Sequence, residues 1–274
     1  DVVCVSTWAP SHKSIASEAL KLPGLKGILV EKPLGDTAAA GQQVLDEVRL
    51  RGIPMAVPHG LLVASHSTEI LRRVREGEIG SLKLVEIENS GWDIINAGIH
   101  WLNYFVALTE RERIAWVLAA CDISTRTYRD GMQVETLAVT YIQTVSGIRA
   151  VMNTGDELTA SREGKKTLFR LVGTAGMIEF WGWEPSYMIW NRHTPDGQLV
   201  QLTPFSKSNH QLHLETLADQ IDAGRPDYSV AESSLMALEL CEAAYLSNRH
   251  RCAVTFPFQD FRPPAPADWN PGAP

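Results

Sequence analysis

Two short stretches bring together side chains that can move a proton and stabilise a negative oxygen. In Asn96-Ala97-Gly98-Ile99-His100-Trp101-Leu102-Asn103 an amide stands four residues before a histidine, one helical turn away, so both can face one cleft. Histidine is the usual general base near neutral pH. In Gly27-Ile28-Leu29-Val30-Glu31-Lys32-Pro33 an unbroken apolar run ends in an acid, a cation and a proline. An ammonium group beside a reacting hydroxyl would stabilise developing alkoxide charge. Spacing alone leaves plainer readings open: Asn96 as a helix cap, His100 as a satisfied buried histidine, Lys32 as a solvated residue leaving a strand.

The elements around these stretches decide what they can reach. The run 27–30 reads as a strand buried on both faces, and Pro33, with no N–H to donate, stops it. Glu31 and Lys32 then sit at the strand's carboxyl end, where open α/β sheets bind ligands. Residues 1–7 form another strand, expected inside a parallel sheet, and Ser11 is available to cap the helix that follows. Asp36 or Thr37 caps a second helix that ends near Gly52, before a short strand at 53–57. Strands alternating with helices predict a doubly wound parallel sheet.

Beyond Pro58 the pattern changes. An amphipathic helix over 62–76 leads into a succession of strands, with hairpin turns expected at Asp130-Gly131, Ser146-Gly147 and Asp196-Gly197. Asn96 is expected to cap the helix that carries His100. Two further helices, 210–223 and 231–249, and a last strand at 252–256 complete a second, α+β domain. The fold class is therefore α/β followed by α+β, divided near residue 60, the second part (61–274) built on a large, mostly antiparallel sheet.

Composition narrows the function. The 274 residues are 45% hydrophobic and 21% charged, as in globular proteins, with no apolar run near the length of a membrane span and no signal-peptide pattern. A formal charge of −7 without a basic block argues against nucleic acid or an anionic membrane as the main partner. Four widely spaced cysteines fit free thiols in a reducing compartment, so a cytoplasmic location is expected. His210 and His213 are three apart, as metal ligands can be, but no third ligand is evident and no metal is expected. Trp181, Trp183 and Trp190 could line a sugar or pack a core.

Taken together, these stretches resemble the glucose-fructose oxidoreductase and inositol dehydrogenase family (Gfo/Idh/MocA). The resemblance rests on Ser6-Thr7 with His12 five residues after Thr7, Glu31-Lys32-Pro33, Gly77-Glu78-Ile79-Gly80, Asn96-x-Gly98-x-His100, the segment from Gly173 to Gly176, and Asn248 before the last strand. It implies a Rossmann domain, here its C-terminal half at 1–60, followed by a substrate-binding and oligomerisation domain. It also implies an oxidoreductase that uses NAD or NADP on a sugar, polyol or related cyclic alcohol. Ser6, Thr7, Pro10 and His12 would line the nicotinamide-ribose side of the crevice, and Glu31 would hold the ribose region. Lys32, aimed by a cis bond to Pro33, would reach the ribose and the reacting hydroxyl, and His100 would be the acid–base residue. Asn96 and Asn103 would bind substrate, and the open sheet would make a homo-oligomer, dimer or tetramer.

The chain departs from the family in three places. Asn96 and Asn103 stand where the family has aspartates, and amides cannot raise the basicity of His100 by charge; Asn96→Asp is expected to restore it. His59-Gly60-Leu61 stands where many relatives carry an arginine, so anionic substrates are less expected. A glycine-rich phosphate loop is absent, which suggests a fragment lacking its first βαβ elements, poor in dinucleotide binding and prone to aggregate along the apolar edge at Val2 to Val5. The alternatives are a non-catalytic binding or regulatory protein on the same scaffold, and a dihydrodiol-type reductase or dehydrogenase.

Overall fold

A computed structural model of the chain describes residues 1–122, 124–125, 127–159 and 164–262. Three parallel strands, β1 (Val2–Val5), β2 (Gly27–Val30) and β3 (Met55–Ala56), form a sheet in the order β1-β2-β3. Helices α1 (Ala9–Ala19) and α2 (Ala38–Arg51) connect them. Only β2 has a strand on each side, and every residue of it is buried. β1 lies at one edge of these three strands, in line with the apolar edge expected at Val2 to Val5, and its burial fits: Val2 is 43% exposed and Cys4 is exposed, while Val5 is buried.

Helix starts follow local chemistry. Thr37 caps α2 by accepting from the N–H of Ala40, and Gly52 ends it with φ +69°, a conformation that glycine adopts without strain. Ser11 does not cap α1. The helix begins at Ala9 with Pro10 in its first turn, and Ser11 Oγ donates back to the Trp8 carbonyl.

The second sheet has nine strands in the order β13-β12-β11-β10-β4-β9-β8-β5-β14. They are β4 (Leu82–Ser90), β5 (Ile114–Asp122), β8 (Leu137–Thr144), β9 (Arg149–Gly155), β10 (Thr167–Gly173), β11 (Gly176–Trp181), β12 (Ser186–Asn191), β13 (Thr194–Gln201) and β14 (Val254–Thr255). β4 pairs with β9 in parallel; every other pair is antiparallel. Two short strands, β6 (Thr127–Arg129) and β7 (Met132–Val134), form a separate hairpin. The Asp130-Gly131 turn closes this hairpin and does not join β5 to β8 directly. Asp196-Gly197 is no hairpin turn either: it lies within β13, where the register against β12 shifts, and the chain reverses at Arg192-His193.

One face of the large sheet is covered by α3 (Ser65–Arg75), α4 (Ile99–Leu108) and α6 (Ser229–His250). Phe169 and Phe180 stack at 4.7 Å between ring centroids, and Tyr104 of α4 meets each edge-on at 5.8 Å, which keys that helix to β10 and β11. α5 (Asn209–Ala223) returns to the parallel sheet and lies on β2 and β3. Gly27 is where it approaches: a Cβ there would stand 2.8 Å from the Ile221 side chain. No helix among the described residues is long and apolar enough to cross a membrane.

Candidate active site

β1 and β2 run in register, with Val5 opposite Val30, so their carboxyl ends lie side by side. Ser6, Thr7 and Pro10 are exposed beyond β1, and Glu31 and Lys32 follow β2. The Lys32–Pro33 bond is cis, as the sequence reading expected. Lys32 Nζ donates to the main-chain carbonyl of Asn96, 2.7 Å away and 64 positions on, so the lysine leaves the parallel sheet and reaches the start of α4. Burial lowers its pKa from the ordinary 10.5, opposed by the charges of Glu31, Asp130 and Asp93. One Glu31 oxygen accepts from the Lys32 N–H at 3.3 Å and the other lies 2.9 Å from His210 Nε2. His213, one turn along α5, turns instead to the carbonyl of His59 at 3.1 Å, so the two histidines do not share a ligand.

His12 lies inside this frame and offers no nitrogen to a ligand. Its Nδ1 is 2.7 Å from the Pro33 carbonyl and its Nε2 2.8 Å from that of Thr7, and the ring is buried. Asn103 is likewise turned inward. Its Nδ2 donates to Ser233 Oγ on α6 at 3.0 Å, which ties α4 to α6.

The approach to α4 is a π-helical turn, Ile94–Gly98, and its cap is Asp93, not Asn96. Asp93 accepts from the Asn96 N–H at 2.8 Å and from Asn96 Nδ2 at 3.0 and 3.2 Å, and pairs with Arg129 Nη1 at 3.0 Å. The Asn96 amide therefore leans on a carboxylate three residues upstream. Arg129 also holds Asp156 at 2.6 Å and lies over the Trp92 ring at 5.5 Å. From the other side Glu135, buried and with its pKa raised by that burial, accepts from the Ile94 N–H at 2.7 Å and from the Tyr245 hydroxyl at 2.8 Å.

His100 occupies the first turn of α4. Burial, then the positive charge of Lys32 and of His210, lowers its pKa to about 3, so the ring is neutral near pH 7. Its Nδ1 is sealed in without a partner among the described residues. The nearest aromatic neighbour is His59, its ring edge-on at 5.3 Å, and Trp183 stands at 6.1 Å. His59 is fully buried, lies 2.8 Å from Ser234 Oγ through Nε2, and is held well below its ordinary pKa by burial and by His100. Gly60 makes room for this: a Cβ there would come within 2.9 Å of the Trp183 ring and 2.7 Å of Asn209 Nδ2.

The β6–β7 hairpin closes over the crest of the parallel sheet. Asp130 and Gly131 take φ +47° and +78°, as a two-residue turn between twisted strands requires. A Cβ on Gly131 would lie 3.3 Å from the Trp8 ring, so the tip rests on Trp8 and Pro10. Among the described residues there is no group of three side chains that could hold a metal ion.

No family model matches the chain, and no curated protein matches its sequence. Solved structures share its fold. The aldose-aldose oxidoreductase of Caulobacter crescentus, complexed with glycerol, is 20% identical with a TM-score of 0.79, over 93% of this chain and 79% of that one. A levoglucosan dehydrogenase in complex with NADH and levoglucosan is 16% identical with a TM-score of 0.76, over 93% and 80%. The super-repressor mutant of Gal80p from Saccharomyces cerevisiae is 12% identical with a TM-score of 0.77, over 93% and 79%. The shared architecture is α/β: parallel strands set beside a large, mostly antiparallel sheet.

Proposed function

We propose that the chain belongs to an NAD- or NADP-dependent oxidoreductase that moves a hydride between the nicotinamide and a secondary alcohol of a sugar, polyol or related cyclic compound. The observation that carries this reading is the Lys32 ammonium at the carboxyl end of β2, bonded across to the start of the helix that carries a neutral His100. The enzymes of the same fold, one complexed with glycerol and one with NADH and levoglucosan, add support.

The residues fit the nicotinamide end of such a cofactor. Two parallel strands end together, Ser6, Thr7 and Pro10 are exposed at one end, and Glu31 and Lys32 follow the other. Glu31 would hold the ribose after its oxygen turns from His210, whose side chain is itself exposed. When bound, the nicotinamide supplies the hydride acceptor or donor. Lys32 holds the reacting oxygen by charge, which favours loss of the hydroxyl proton. His100 takes that proton at Nε2, the nitrogen left to a ligand because Nδ1 is sealed. Asp93 and Asn96 keep the π-helical turn, and with it His100, in place.

The test is growth of absorbance at the NADH wavelength when the full-length protein meets NAD or NADP and a panel of sugars, polyols and dihydrodiols. Lys32→Met is expected to lower turnover at least a hundredfold. No oxidation across the panel would favour a non-catalytic regulator on the same scaffold, a reading to which the Gal80p likeness and the amides at 96 and 103 lend weight.

The open face of the large sheet is proposed to pair with a second copy of the chain. Trp116 and Tyr141 stack there at 4.9 Å, beside exposed Leu118 and Val139, an apolar surface of the kind that marks assembly. Sedimentation velocity at micromolar concentration is expected to give a dimer or larger species. A monomer overturns this.

A further inference from the structure

A neutral imidazole carries one N–H and one lone pair, so His100 can take a proton at Nε2 only if its own proton already sits at Nδ1. A hydrogen bond at one ring nitrogen usually fixes which of the two is protonated. His100 lacks that device: Nδ1 is sealed from solvent and meets no hydrogen-bond partner among the described residues. Asn96 and Asn103 do not supply it, because their amides turn to Asp93 and Ser233. What surrounds the ring is aromatic: His59 edge-on at 5.3 Å, and Trp101 and Trp183 at 6.1 Å.

His59 is the closest of the three and is firmly held. It is 1% exposed, and its Nε2 lies 2.8 Å from Ser234 Oγ, itself buried on α6. Its main-chain N–H donates to the Val57 carbonyl at 2.9 Å, and its carbonyl accepts from the Leu62 N–H at 3.0 Å and from His213 Nε2 at 3.1 Å. Ring and backbone are thus tied to the exit of β3, to α5 and to α6. Burial, then the neighbouring His100, holds the His59 pKa well below its ordinary value, so the ring is uncharged near pH 7. The face of an aromatic ring is its negative side. A ring edge set against it is favoured when that edge bears an N–H and disfavoured when it bears a lone pair. The planes of His59 and His100 stand 80° apart, the arrangement that such a contact needs.

We propose that His59 is a positioning residue for His100: its anchored ring holds the His100 imidazole with the proton at Nδ1, directed at the His59 face, so that the lone pair at Nε2 is the one that meets a ligand. The consequence for turnover rests on the oxidoreductase reading; the tautomer does not. His59 is too buried to meet a substrate itself. It orients the base as a carboxylate behind a catalytic histidine would, without the charge that would raise basicity.

The tautomer is read from the ring-nitrogen chemical shifts of isotope-labelled, full-length protein near neutral pH, with the His100 signals assigned by their loss in His100→Ala. Nδ1 is expected to carry the proton, and a proton at Nε2 in the unaltered protein overturns the proposal without any variant. His59→Leu removes the ring face and is expected to shift the proton toward Nε2 and to lower kcat roughly tenfold or more with KM nearly unchanged. His59→Phe keeps a face in that place while giving up the bond to Ser234, and is expected to restore the tautomer and most of kcat. Ser234→Ala frees the His59 ring without removing it, so it gives a mixture of the two tautomers and serves where His59→Leu fails to fold. A tautomer unchanged in Ser234→Ala and His59→Leu, or kcat lost equally in the Leu and Phe variants, overturns the role of the ring face. Turnover with the proton at Nε2 overturns the positioning and leaves hydride transfer standing. The expected tautomer without oxidation of any alcohol supports the ring assignment and overturns the oxidoreductase.

Discussion

His100→Ala is expected to lower turnover about 10²- to 10⁴-fold, the usual contribution of a positioned general base. The pH profile of the unaltered protein discriminates further. A free histidine would give an acid limb near 6.5, but burial and the charge of Lys32 hold His100 near about 3, so kcat/KM is expected to persist well below pH 6. The same shift appears in stability. Between about pH 6.5 and 3 the unfolded chain binds a proton that His100 in the fold does not, so stability falls as pH drops through that window. His59 shifts in the same direction and adds to the effect. His100→Ala should flatten the slope of Tm against pH. Unchanged turnover in that variant would place the base elsewhere.

Asp93→Ala is expected to cost about 1–3 kcal/mol, or roughly 2–12 °C in Tm, because it leaves the buried Asn96 N–H and Nδ2 without their acceptor, whereas Arg129 keeps Asp156. The Asp93 carboxylate is fully buried and serves three partners at once: the Asn96 main chain, the Asn96 amide and Arg129. Its loss releases the π-helical turn that presents His100, so activity should fall together with Tm. Asn96→Asp follows from the same geometry and reverses the expectation drawn from the resemblance. A carboxylate at 96 would face Asp93 where Nδ2 now lies 3.0 Å from an acidic oxygen, replacing a hydrogen bond with like-charge repulsion. Turnover is expected to drop. Thermal melts and kinetics of both variants check this, and a more active Asn96→Asp would show that Asp93 is not the charge that matters.

The readable parts of the fold were those encoded locally. The run 27–30 between Gly and Glu-Lys-Pro gave β2 because consecutive apolar residues admit little else. Thr37 gave a cap because its side chain reaches only its own first turn. What failed depended on partners far along the chain. Asn96 reads as a cap under regular helix spacing, and a π-helical turn, held by Asp93 and by Glu135 41 positions from Ile94, carries no periodic signature. Asp196-Gly197 looked like a hairpin turn because Asp-Gly suits a left-handed bulge as well as a reversal. His59 drew notice only for the arginine it displaces. Its role beside His100 depends on Ser234, 175 residues away, and sequence spacing cannot bring that residue near. Asp130-Gly131 reads as a turn between strands of the large sheet, because the two three-residue strands of the hairpin over Trp8 and Pro10 are too short to alternate visibly.

The two carbonyl oxygens flanking His12 belong to different strand exits, Thr7 after β1 and Pro33 after β2. One planar ring spans both, its single N–H donating to one carbonyl while the other packs against the ring edge, so sliding one exit past the other would disturb this buried contact. The floor beneath Lys32 is expected to move as one plate, which would push any opening motions that admit a ligand outward. They fall to the parts that rest on the plate without being bolted to it, the β6–β7 tip lying on Trp8 and the exposed side chain of His210 against Glu31.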